Sequence, residues 1–432
     1  MPHIILLGTL DTKREEVSFI YTKLKETASR FSTPLEITLI DCGRQPITDN
    51  AITIGHTELV EKYAPDDNRG LLDLPRGEAI NFLITCVIRC VEDLLQKHEI
   101  HGIIGAGGSG GTSLISAVMK TAVPIGLPKL IVSTVASGNT GPVVGECDIT
   151  LMYSVVDIAG TNRLLCDVLE NGAAAMFGMA SAYQHRLNLN RAVDNGTRSA
   201  EKKRIGITMF GVTTPCVDTI RCYLEEKYNV EVYVFHATGH GGKAMERLVE
   251  EGHLDAILDI TTTEICDLIA GGTMSCDNSR LEATLRKGIP NIISVGATDM
   301  VNFGPLDTVP SQYRDRNLQV HNPSVTLMRT SAEECRKIGD FMLDKLKRFS
   351  RDPRMVEVWL PSGVSSMATA GLPFSDPEAD AALATVLDSG LKGSDIRVIS
   401  HDRDINDNGF AVDIASRLMD LVAEHSERSP AS

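Results

Sequence analysis

The run Gly105-Ala106-Gly107-Gly108-Ser109-Gly110-Gly111-Thr112 follows the apolar Gly102-Ile103-Ile104 and precedes the helix-compatible stretch Ser113 to Lys120. Strand, glycine loop and helix start in that order define a βα unit, which ties the chain to a layered α/β fold. Five glycines in seven positions let the backbone take positive φ or bring its N–H groups close to a ligand. With the positive end of a helix dipole behind it, such a loop is an anion cradle, most naturally for phosphate.

Two named patterns overlap there. Gly105-x-Gly107-x-x-Gly110 fits the dinucleotide fingerprint, and Gly107-x-Ser109-x-Gly111 fits a nucleophile elbow. The stretch Ile125 to Val135, where an acid for a ribose hydroxyl belongs, contains no Asp or Glu, which argues against NAD. A P-loop is excluded, because no Lys-Ser or Lys-Thr pair closes the run.

Short β-branched or apolar runs alternate with amphipathic segments along the whole chain, the pattern of parallel sheets covered by helices. Strands are expected at His3 to Gly8, Leu35 to Asp41, Gly102 to Gly105, Lys129 to Ser133 and Ile149 to Ser154, with helices at Lys13 to Ser29, Glu78 to Lys97, Thr112 to Lys120 and Asn162 to Gln184. Residues 191–203, RAVDNGTRSAEKK, are almost devoid of apolar side chains and read as a linker between residues 1–190 and 204–432. After it the pattern restarts, with strands at Arg204 to Phe210, Glu231 to Phe235, Ala256 to Asp259, Asn291 to Val295, Val356 to Leu360 and Ile396 to Ile399. The fold class is therefore α/β, two Rossmann-like domains, each a mostly parallel sheet flanked by helices. Two stretches read as irregular, Gln45 to Arg76 and Leu306 to Leu318, and loops of that length commonly carry function.

A chain of 432 residues exceeds one ordinary core, which fits two domains. The net charge of −15 and the lack of long Lys/Arg clusters argue against nucleic acid or an anionic membrane as partner. Ten cysteines without a CxxC pair read as reduced thiols, and no apolar run reaches the length of a membrane span, so a cytoplasmic protein is expected.

Ligands of open parallel sheets bind beyond the carboxyl ends of the strands. In the first domain those segments supply Gly8, Thr9, Asp11 and Lys13, then Gly107, Gly108, Ser109, Gly110, Gly111 and Thr112, then Thr134, Ser137, Gly138 and Asn139, a set suited to a nucleotide. In the second domain they supply Gly211, Thr213, Thr214, His236, Gly241, Gly242, Lys243, Thr262 and Thr263 for a second ligand. Ser109 as nucleophile, or His236, His240 and Glu264 as acid and base, are the catalytic candidates. His236 and His240 have Gly239 between them and His98-x-x-His101 straddles a helix end, so no metal site is assigned.

Leu7 to Lys13, Gly107 to Thr112, Ser133 to Asn139-Thr140, Tyr153 to Gly160, Met209 to Cys216 and His321-Asn322-Pro323, taken in order, resemble the family of the plant tobamovirus-resistance protein's N-terminal region. The resemblance covers nearly all of the chain. It implies two Rossmann-like domains, ATP as cofactor with Mg2+ where required, and a homodimer or higher homo-oligomer. The expected function is a cytosolic nucleotide-binding protein that couples a nucleotide or phosphate-bearing ligand to a second ligand in the interdomain cleft. The alternatives are a hydrolase or lyase acting on a small anionic carbonyl substrate, and a protein-interaction scaffold.

Overall fold

Every residue of β1 (His3–Gly8) is buried, because its side chains alternate between two separate cores. Ile5 and Leu7 pack with Val87, Ile115 and Val118 on one face, while Ile4 and Leu6 pack with Ile20, Leu24 and Leu169 on the other. That is why the strand reads as an unbroken apolar run rather than as an alternating one. The computed structural model describes residues 1–65, 74–194 and 202–428, apart from the side chains of residues 192–194. Its Cα positions form two compact units, Met1–Arg198 and Ser199–Ser432.

In the first unit β1 is followed by α1 (Leu10–Arg30), β2 (Glu36–Asp41), α2 (His56–Tyr63), α3 (Arg76–Lys97), β3 (Gly102–Gly107), α4 (Ser109–Ala122), β4 (Lys129–Ser133), α5 (Gly141–Val144), β5 (Ile149–Tyr153) and α6 (Arg163–Asp194). All five strands are parallel, in the order β2-β1-β3-β4-β5. The second unit contains β6 (Lys203–Met209), α7 (Thr214–Lys227), β7 (Val230–His236), α8 (Gly241–Glu250), β8 (Ala256–Thr261), α9 (Thr263–Ala270), α10 (Glu282–Lys287) and β9 (Asn291–Gly296). It continues with β10 (Met300–Phe303), β11 (Leu318–Asn322), β12 (Val325–Arg329), α11 (Ala332–Phe349), β13 (Val356–Leu360), α12 (Pro377–Gly390), β14 (Arg397–Ser400) and α13 (Asn408–Arg428). Its main sheet, β14-β13-β9-β8-β6-β7, is parallel throughout. Both units are Rossmann-like, and both wind the same way, with the third strand returning to the far side of the first.

Several local expectations need correction. The stretch read as irregular around Leu306 to Leu318 leads into an antiparallel sheet, β10-β12-β11, whose β11 edge and Gly304 to Asn317 connection are too polar to show a period-two pattern. The stretch Gln45 to Arg76 contains α2, a single amphipathic turn pair too short to stand out. The helix α6 runs on to Asp194, so the first residues of the expected linker are helical, and residues 195–201 lie outside the described part. Among the described residues no helix is long and apolar enough to cross a membrane.

Beneath the amino ends of the first sheet, His3 Nε2 lies 2.8 Å from Thr38 Oγ1, and the backbone N–H of His3 donates to His101 Nδ1 at 3.0 Å. Both imidazoles are buried, and burial pulls both pKa values below the ordinary histidine range. A folded-state pKa below the unfolded value means stability that is complete above about pH 6.5 and is lost as pH falls toward the lowered value. Thermal unfolding of wild type and His101→Gln, compared between about pH 7 and pH 5.5, should show the wild type losing more stability on acidification. Parallel curves would show that His101 titrates alike in the folded and unfolded states.

Candidate functional site

In the first sheet the chain reverses its winding between β1 and β3, and the loops leaving those two strands diverge around a crevice. A cavity of about 300 Å³ opens there. Thr9, Asp11 and Thr12 reach it from the end of β1, Cys42 and Arg44 from the end of β2, and Gly110 and Gly111 from the first turn of α4. The first turns of α3 close it with Arg76, Ala79, Ile80 and Leu83, and Leu114 completes an apolar floor. One wall thus carries backbone N–H groups and the Arg44 guanidinium, and the other is hydrocarbon from α3 with the Arg76 guanidinium at its start.

The glycines of this loop serve two different needs. None of them takes positive φ, contrary to one expectation from their number. A Cβ on Gly105 would stand 2.7 Å from Ile115 Cδ1, and one on Gly107 would stand 2.9 Å from Gly111 Cα, so these two let β3 and α4 touch. By contrast, a Cβ on Gly110 would find nothing nearer than Arg76 Nη2 at 3.7 Å, and one on Gly111 nothing nearer than 3.9 Å. The fold does not demand glycine at these positions, yet both border the cavity.

The carboxylates beside the cavity are held from behind. Asp11 Oδ2 accepts from the N–H groups of Arg44 at 2.8 Å and Gln45 at 3.3 Å. Asp41 Oδ1 accepts from Gly43 N and Leu10 N at 2.9 and 3.2 Å, while its buried Oδ2 has no hydrogen-bond partner among the described residues. Burial raises the Asp41 pKa above the usual carboxylate range, and the neighbouring Asp11 adds to the shift. Magnesium binds through one or two carboxylates together with ligand phosphates, and Asp11 Oδ1, which receives no hydrogen bond among the described residues, suits that role.

Other residues read from the sequence lie elsewhere. Lys13 turns its ammonium to the carbonyl of Ile158 and does not line the cavity. Gly8 packs on Val17. The buried Thr112 hydroxyl bonds Gly107 O and Ser133 Oγ at 3.1 and 2.7 Å, fastening β3 to β4. Gly108 caps α4, with Thr134 Oγ1 just beyond it, while Ser137, Gly138 and Asn139 form an exposed turn after β4. Ser109 is exposed and makes no hydrogen bond to a base among the described residues, so the nucleophile-elbow geometry is missing. Arg44 and Arg76 were not singled out in the sequence, although Arg44 follows a strand end by three residues and Arg76 follows Pro75 at a helix start.

In the second unit the glycine loop already holds an anion of the protein's own. Glu264 Oε1 accepts from Gly239 N at 2.8 Å and Gly242 N at 3.2 Å, and its Oε2 accepts from Arg280 Nε at 2.9 Å. Arg280 in turn holds Asp259 through both terminal nitrogens, at 2.7 and 2.8 Å, and Glu246 at 3.2 Å. The whole cluster is buried, and burial pushes Glu246 up to about 7. Glu264 is thereby a structural carboxylate rather than a free acid or base. Gly241 and Gly242 are required by closeness to His236 O and Glu264 Oε2, not by a ligand.

His236 and His240 are exposed, with His236 stacked on Phe210. Thr213 Oγ1 meets Thr261 Oγ1 at 2.8 Å, Thr214 Oγ1 donates to Phe210 O, and Thr262 and Thr263 are buried against Ser294 O and Met300 O. Gly211 is exposed, and Lys243 pairs with Asp277 at 3.2 Å beside a mixed-charge cavity of about 210 Å³. These residues lie beyond the ends of β6, β7 and β8, where Phe210 meets His236, Thr213 meets Thr261 and Gly241 approaches His236 O.

Residues 2–185 match the N-terminal domain, and residues 202–422 the C-terminal domain, of the Uncharacterised protein family (UPF0261). The chain belongs to this family. A UPF0261 protein of Clostridium tetani is 40% identical over 427 residues, with 97% of this chain and 98% of that protein covered. The ToMV susceptible protein tm-1 of Solanum lycopersicum is 38% identical over 441 residues, and its resistance counterpart Tm-1 is 37% identical over 447 residues. The chain spans 56% and 57% of those tomato proteins. A UDP-GlcNAc 2-epimerase of Methanocaldococcus jannaschii aligns over 97% of the chain and 99% of its own at 12% identity with a TM-score of 0.21, a likeness too weak to argue from.

Two outcomes follow. Arg280→Met leaves three buried carboxylates without their cation and should cost the second unit about 3–5 kcal/mol, read as a melting transition lowered on the order of 10 °C; an unchanged transition would mean the cluster is hydrated. Ser109→Ala should leave binding of any ligand in the first-unit cavity within about twofold of wild type, since Ser109 is not among the residues lining it; a larger loss measured by calorimetry would assign Ser109 a direct contact.

Proposed function

We propose that this UPF0261 protein binds a nucleotide, or another small phosphate-bearing anion, in the first-unit cavity between the ends of β1 and β3. The observation that carries the reading is the pairing of Gly110 and Gly111, which have room for a side chain and carry none, with Arg44 and Arg76 across the same opening. Phosphate at the N-terminus of α4 would meet backbone N–H groups that have no partner among the described residues, together with two guanidinium groups, and the ligand's less polar body would lie on Ala79, Ile80, Leu83 and Leu114. The family resemblance carried by the sequence motifs implies ATP as the nucleotide, and Asp11 would then hold its magnesium. Assembly as a homodimer belongs to the same reading, with sedimentation velocity as its check.

Binding without rapid turnover is the expected behaviour, because among the described residues no lysine lines the cavity and Ser109 has no base within hydrogen-bond reach. The enzyme reading has no comparable support. Its candidates His236 and His240 are exposed and Glu264 is engaged by Arg280. The reading is restricted to the first unit, since the glycine-loop N–H groups of the second are taken by Glu264.

Calorimetric titration with ATP, ADP and AMP, with and without magnesium, should give one site per chain. Arg76→Ala should weaken it roughly tenfold to a hundredfold by removing a charge-assisted contact. Gly110→Val should abolish it by placing a branched side chain in the opening, while thermal unfolding stays close to wild type. Wild-type affinity in both variants would reject this cavity as the nucleotide site.

A further inference from the structure

The second unit carries a groove at the opposite end of its sheet from the loops discussed above. One cavity of about 520 Å³ is bounded by Lys203 at the start of β6, Leu254 and Asp255 before β8, Ile289 and Pro290 before β9, and Val422 of α13. A second, of about 610 Å³, is bounded by Arg351, Asp352 and Arg354 before β13 and by Asp395 before β14. Lys287 and His425 line both, so the two cavities adjoin.

Charge is distributed unevenly along this groove. Asp255 is neutralised by Arg204 at 3.0 Å, and Asp352 by Arg354 at 3.0 Å. Lys287 donates to a backbone carbonyl, that of Glu250, at 3.2 Å. The side chains of Lys203 and Arg351 have no hydrogen bond or ion pair among the described residues. Lys287 and Arg351 line the second cavity with the carboxylate of Asp395, while Lys203 lies beside the Arg204-paired Asp255, a local excess of positive charge in a chain whose net charge is −15. Next to these cations the first cavity is floored by Leu254, Ile289, Pro290 and Val422.

We infer that this groove is a binding site for a small molecule that joins a phosphate to an apolar body, with the phosphate between Lys287 and Arg351 and the apolar body on Ile289, Pro290 and Val422. Its volume falls in the range of small-ligand pockets, and its layout of apolar floor and few convergent charges is the usual one for such sites. The groove uses the amino ends of the strands, so it is a site additional to the first-unit cavity and stands or falls without it.

The probe is octyl phosphate, with octanol as the uncharged control, titrated into the full chain carrying 13C-labelled Ile, Leu and Val methyl groups. Octyl phosphate should shift the methyl signals of Ile289, Leu254 and Val422, with octanol at least about tenfold weaker. The double variant Lys287→Gln and Arg351→Gln keeps the side-chain stems, should unfold at the wild-type temperature, and should weaken octyl phosphate about tenfold or more. Arg76→Ala should leave these shifts unchanged. Absence of shifts at the three methyl-bearing residues, equal binding of octanol, or wild-type affinity in the double variant would each overturn the assignment.

Discussion

The winding of the first sheet determines where anything can bind. The chain leaves β1 to build β2 on one side and returns to build β3 on the other, so the connections after β1 and β3 are carried away from each other. What they leave between them is a crevice whose walls come from four separate segments. The apolar wall is the first turns of α3, and the polar wall is the first turn of α4 with the strand-end loops. Neither wall is adjustable without disturbing the two cores that grip β1 from both faces.

The second unit repeats this winding with one further strand, and there the segments beyond the strand ends pack on the chain itself. Val212, which follows β6, packs with Ala297, Met300, Leu327 and Phe374, and its carbonyl accepts from Ser366 N and Asn406 Nδ2. The antiparallel sheet contributes Met300 and Leu327 to that plug, which gives the insertion between β9 and β13 a packing role. Beside it, the N–H groups that would serve a phosphate are satisfied by Glu264, itself fixed by Arg280. A buried ion cluster of one arginine and three carboxylates is a costly way to build a core, and it holds together only because each charge also has directed hydrogen bonds. The same winding thus carries an open cavity in the first unit and, in the second, strand-end segments bound to groups of the chain itself.

Much of this was legible in the sequence, and the failures have physical causes. The buried parallel strands were visible as apolar runs, and the glycine run was placed at the junction of β3 and α4, although β3 continues to Gly107 and α4 starts at Ser109, so that only Gly108 lies between them. Which glycines mattered was not visible, because Gly107 and Gly111 differ only in what their missing Cβ atoms would touch. Lys13 looked like the phosphate cation from its neighbours in sequence, but the helix of α1 is broken at that residue and its ammonium turns to Ile158. Arg44 and Arg76 border a stretch that lacks periodicity, so no pattern drew attention to them. Glu264 and Arg280 are sixteen positions apart, and their pairing across α9 and the start of α10 is a tertiary fact with no local signature.

The central claim is that the first-unit cavity, and not the glycine loop of the second unit, receives the phosphate-bearing ligand. Hydrogen–deuterium exchange of the full chain with and without magnesium ATP tests it most directly. Slowed exchange confined to peptides covering Gly108 to Thr112, Asp41 to Gln45 and the first turns of α3 is the predicted result. Slowed exchange centred on His236 to Lys243, with the first-unit peptides unchanged, would contradict it.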